Sequence, residues 1–344
     1  MRAVTGLWFS GSLSVLIFIG GCTTPVPTES ESKPASQLVW PAPPDAPRII
    51  YVQSISRPAD VGVKRSAGAR ALRWIFGVNK NAELLAKPFG VALDENDNLC
   101  LTDTGANAVS FYDRTRKTWQ RWERIGKLQF VSPVAVAKRN GTIFVADSGL
   151  AAIVAFSDEG KLLFTITNRL QRPAGLAISG ERLFVVDSVR QAVLVFDLKG
   201  NFLSEFGKRG TGLGEFNYPT HIASDREGHL FITDSMNARV EVLGNAGKFQ
   251  SQIGSAGDAP GHFGRPKGAA VDSFGHIYVI DGLFDTVQVF GRGGQLLLNF
   301  GGSGSRPGEF WLANGVAISR TNEIYVADAY NRRVQVFRYV GGAE

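Results

Sequence analysis

The chain has 344 residues, 44% of them apolar and 20% charged, with a formal net charge of +6. This composition excludes a disordered or fibrous chain and allows a large buried core. The basic excess is too small for this length to argue a nucleic-acid partner, and two cysteines, Cys22 and Cys100, exclude a disulfide framework.

From the N-terminus, Arg2 precedes an apolar run, Leu7–Ile19, that is too short for a spanning helix. It closes on Ile19-Gly20-Gly21-Cys22. A signal peptide over residues 1–21 is expected. The small residues before the cysteine resemble a bacterial lipobox, which implies that Cys22 is lipidated and anchors the protein in a membrane. The alternative is an ordinary secretory signal with an incidental cysteine. Thr23 rather than Asp after the cysteine implies sorting to the outer membrane, facing the periplasm. Residues 22–47 contain Pro25, Pro27, Pro34, Pro41, Pro43, Pro44 and Pro47 and read as a semi-extended tether.

Arg48–Ile55 is a strand by composition, standing alone before any repeat. Pro58–Phe76 is basic and Ala-rich, a short helix or an extended connection. Arg114–Lys127 sets Trp119 and Trp122 among basic residues; the spacing favours an outer hairpin with Trp inward over a nucleic-acid or glycan contact.

From about residue 72 to 340 the chain repeats. Six acids, Asp103, Asp147, Asp187, Asp234, Asp281 and Asp328, each close a short apolar run. Three residues before them stand Cys100, Phe144, Phe184, Phe231, Tyr278 and Tyr325; nine after stand Tyr112, Phe156, Phe196, Leu243, Phe290 and Phe337. Large apolar residues at fixed offsets mark repeated core positions, with Cys100 as a buried apolar thiol. A repeat of roughly 40–50 residues built from short strands and polar turns predicts a β-propeller. Three Gly-rich linkers, Phe206–Phe216, Ile253–Phe263 and Phe300–Phe310, carry the chain between units, their phenylalanines plugging the gaps.

The runs Arg265–Asp272, Ile277–Asp281 and Val287–Phe290 resemble the NHL repeat. The resemblance implies an all-β, six-bladed propeller of four-stranded antiparallel blades over residues 48–344. The last unit shows three strands, so Arg48–Ile55 is expected to supply the fourth and close the ring.

Inner strands of such a ring line a channel. Their leading residues are Gly90, Ala135, Gly175, His221, Gly268 and Gly315, and His221 is the exception among small residues. The positions before them include Thr220, Lys267 and Asn314, so these four are the candidate channel-mouth binding residues. Peptide-amidating lyases, which are NHL-like, hold zinc with three histidines near the axis; here only His221 is expected to face the channel, with His229 and His276 in turns and His262 in a linker. No metal, cofactor or catalytic set is therefore expected. The six acids are expected to accept backbone N–H groups rather than to bind a cation. The expected function is a lipid-anchored, monomeric binding or scaffolding module at the cell envelope for a protein, peptide or glycan, with no nucleic-acid partner. The alternative is an extracytoplasmic hydrolase or lyase with a site near His221.

Overall fold

A computed structural model describes residues 37–64 and 83–341. The expected leader, Cys22 and most of the tether lie outside them, as do residues 65–76 of the basic connection, whose start, Pro58–Val61, is a short 3-10 turn. No helix among the described residues is long and apolar enough to cross a membrane.

Six antiparallel sheets radiate from the inner strands Pro88–Leu93, Pro133–Arg139, Pro173–Ser179, Pro219–Ser224, Pro266–Val271 and Ala313–Ile318. Each inner strand packs on the next, and the last packs on the first, so the sheets close into a six-bladed propeller. All twelve repeated positions around the six acids are buried. Their side chains point between blades, so the core is a ring of inter-blade layers rather than one central mass. Burial pushes the Cys100 thiol far above its ordinary range, consistent with an inert core residue.

The ring closes with the N-terminal strand. Ile49–Ile55 pairs antiparallel with Arg333–Tyr339, from Ile49↔Tyr339 to Ile55↔Val334, with a bulge between Tyr51 and Gln53. Val39–Trp40, inside the stretch read as a tether, adds a fifth strand by pairing with Ile49 and Ile50. Trp40 then lies 5.7 Å from the Phe337 ring and 5.9 Å from Phe300. In the basic stretch, Thr118–Trp122 is the outer strand of blade one. Trp122 packs edge-on to Phe156 of blade two, and Trp119 packs near Tyr112, while Arg116, Lys117, Arg124 and Lys127 face water.

Candidate functional site

The propeller has two unlike faces. The upper face carries the linkers between blades and the loops from second to third strand; the lower face carries the turns from first to second strand. The acids that close the second strands stitch the upper face together. The Asp103 carboxylate accepts N–H groups of Ala86 (2.7 Å) and Lys87 (2.8 Å) in the incoming linker, and of Gly105 and Ala106 in its own loop. Asp147, Asp187 and Asp281 repeat this pattern. Asp234 and Asp328 keep one linker N–H and take Arg239 and Arg333 as further donors. These oxygens are used by the fold.

The four candidate channel residues divide. His221 reaches across the axis from blade four and lies nearly parallel to the Phe89 ring of blade one, 6.4 Å between centroids and 17° between planes. Both its ring nitrogens are enclosed and lack a hydrogen-bond partner. Desolvation first, and the nearby Lys267 charge second, lower its pKa to about 3, so it is a neutral ring at neutral pH. Lys267 is half-buried, and burial depresses its pKa as well, with Arg265 adding to the effect. Thr220 is spent on the fold: its hydroxyl meets Ser235 Oγ at 2.7 Å, which itself donates to Pro266 O of the next blade. Asn314 is buried and donates to Leu312 O. Thus His221 and Lys267 come together, while Thr220 and Asn314 hold inter-blade and linker backbone.

The small leading residues of the inner strands have a steric cause. A Cβ on Gly90 would lie 2.6 Å from Val134 O, and one on Gly268 would lie 2.5 Å from Asn314 O. The close approach is sideways, to the next inner strand.

The remaining histidines are engaged elsewhere. His229 Nδ1 meets Asp225 Oδ2 at 2.7 Å, His276 Nδ1 meets Asp272 Oδ2 at 2.8 Å, and His262 Nδ1 meets Ser255 Oγ at 2.9 Å. Asp225, Glu227 and His229 bring potential metal ligands within 4.8 Å of one another. However, Asp225 also accepts the Glu227 and His229 N–H groups, and Arg292 takes Glu227. The same turn recurs as Asp94–Asn98 and Asp197–Asn201, so it is a turn device of the repeat.

The upper face carries what the sequence reading missed. The residue two after each acid is Gly105, Gly149, Val189, Met236, Leu283 and Tyr330. It is small in the first two blades and large in the other four, where it is about half-exposed or more. Four large apolar residues in a turn that offers no burial were the readable signal. Trp311, 53% exposed, lies 5.4 Å from the Tyr330 ring, and Lys87 Nζ sits 4.6 Å from that ring's centroid. The Leu312 N–H donates to Asp285, bringing exposed Leu312 beside the Leu283–Phe284 loop. Around them Lys87, Arg265 and Lys267 have no carboxylate partner among the described residues.

Comparison with known proteins agrees with this architecture. Residues 165–229 match a family model described as a 6-bladed beta-propeller, and residues 310–337 match the NHL repeat. The Drosophila melanogaster protein brain tumor is 28% identical over 139 residues, which is 38% of this chain but 13% of that much longer protein. Among solved structures, a Bacteroides thetaiotaomicron protein of unknown function superposes with a TM-score of 0.61 at 13% identity, covering 85% of this chain and 75% of that one. A streptogramin B lyase superposes with a TM-score of 0.56 at 12% identity, covering 74% and 94%. At such identities these two likenesses concern the fold alone. The two family matches lie within the six-bladed ring, and over these segments the chain is similar to NHL-repeat β-propellers.

Proposed function

We propose that the protein is a binding module, held at the cell envelope by a lipid on Cys22, that docks an acidic, aromatic-bearing segment of a partner protein on its upper face. One observation carries this: the seam of blades five, six and one exposes Trp311, Tyr330, Leu312 and Leu283 beside cations that no carboxylate compensates. Exposed Trp and Tyr beside cationic side chains have the composition of protein-interface hot spots. Uncompensated cations select an acidic partner. The aliphatic share favours a protein over a nucleic acid, whose interfaces are more polar. NHL propellers, as a protein-binding scaffold type, are consistent with this reading. A hydrolase or lyase in the channel is less well supported, because the ring nitrogens of His221 are enclosed and stacked under Phe89.

A photo-crosslinking residue placed at Trp311, and separately at exposed Phe202 on the outer wall, tests the docking face in cells. The expected product forms from position 311 only, maps by mass spectrometry to an acidic protein segment, and fades with Lys87→Glu. Equal products from both positions, or a nucleic-acid product, would overturn it. Intact mass of the mature protein checks the anchor: an unmodified Cys22 removes the lipid from this reading.

A further inference from the structure

The lower half of the channel is a second, separate space. Its wall begins with Val91, Val136, Leu176, Ile222, Ala269 and Val316, just below the level where the Phe89 and His221 rings meet across the axis. It encloses about 350 Å³ and opens downward into a mouth of about 470 Å³, within the size range of small-molecule sites. In every blade the inner strand is the last of its sheet, paired on one side only. Its other edge therefore presents backbone N–H and C=O groups to the channel. The wall is a ring of donors and acceptors suited to hydroxyl groups.

The mouth is lined by Arg139, Arg226 and Arg320, from blades two, four and six, so a guanidinium comes from every second blade. Most basic residues nearby are already paired: Lys138 with Asp94, Arg292 with Glu227, and Arg320, through Nε, with Asp97. Arg139 and Arg226 have no carboxylate partner among the described residues. The carboxylates at the rim are occupied: Glu95 accepts the Asn140 N–H, while Asp225 and Asp272 accept turn N–H groups and meet His229 and His276. Two guanidinium forks are left facing a concave, hydrogen-bonding space, the arrangement that recognises carboxylate and phosphate oxygens.

We propose that the lower channel binds a small polyhydroxylated organic anion, its carboxylate or phosphate held by Arg139 and Arg226 and its hydroxyls by the free inner-strand edges. The site is independent of the upper face, with the Phe89–His221 contact between them.

Calorimetric titration of the full chain at low salt tests it, with glucuronate, glucose 6-phosphate, neutral glucose and inorganic phosphate as probes. At least one sugar anion is expected to bind saturably and glucose not to bind. The Arg139→Gln/Arg226→Gln double variant is expected to weaken binding by at least about tenfold, with its ligand-free melting temperature unchanged. Binding of only one of the two acids identifies which acid group the arginines select and supports the site. No saturable binding of either acid, equal affinity in the double variant, or inorganic phosphate binding as tightly as the sugar phosphate would each overturn it.

Discussion

At the residue scale, the repeat exposes one ionisable group placed against its own interest. Glu241 is fully buried, accepts the Gly214 N–H at 3.1 Å and pairs with Arg239 at 2.7 Å. Gln288 and Gln335 stand at the same place in the next two blades, accepting the Gly261 and Gly308 N–H groups while donating through Nε2 to a linker carbonyl. Desolvation raises the Glu241 pKa from 4.5 to about 7 despite Arg239. Between those values the folded protein keeps a proton that the unfolded chain has released. Its contribution to stability therefore falls as pH rises through this window and is lost above it. Glu241→Gln is expected to stabilise the fold by about 1–3 kcal/mol at pH 8 and by little near pH 4, measured by urea unfolding at both values. An equal effect at the two pH values would show that packing, not ionisation, sets the difference.

At the element scale, the Gly-rich linkers are anchored by their terminal phenylalanines. Phe216, Phe263 and Phe310 are fully buried between successive blades, as the spacing predicts. Gly301 explains why the glycine preceding such a plug cannot vary. Its φ is +91°, and a Cβ there would lie 2.4 Å from the Phe310 ring. Gly302, one residue on, has open space around its missing Cβ. Gly301→Ala is expected to cost about 1–3 kcal/mol, through the left-handed backbone and the forced shift of Phe310. Gly302→Ala is expected to leave the melting temperature nearly unchanged or slightly raised. Similar losses at both positions would show that the linkers need general flexibility rather than one shaped contact.

At the scale of the whole molecule, the ring is held shut by the pairing of its two ends. Ile49 and Ile55 are buried in the layers flanking blade six, and Ile50 pairs with Arg338. Val52 sits in the bulge, opposite no residue, and is 38% exposed. Proline at Ile50 is expected to cost about 3 kcal/mol or more by breaking the ladder, and to make Arg333–Tyr339 the first segment to exchange its amide hydrogens. Proline at Val52 is expected to cost less, since bulges tolerate it. Comparable losses, or first exchange elsewhere in the ring, would show that closure does not limit stability.

Much of this was legible in the sequence because a repeat reports each core position six times. Offsets from Asp103 to Asp328 were enough to assign the blades, the buried aromatics and the strand that closes the ring. His221 was legible as an exception to its column. Its contact with Phe89 was not, because that contact joins opposite sides of the ring, and no local pattern encodes what lies across a channel. The same holds for Arg139, Arg226 and Arg320, which are ordinary polar turn residues along the chain. Periodicity determined the architecture, since each blade must bury the same two faces. Only the closed ring decided which unrepeated side chains meet, because closure places residues far apart in sequence around one shared axis.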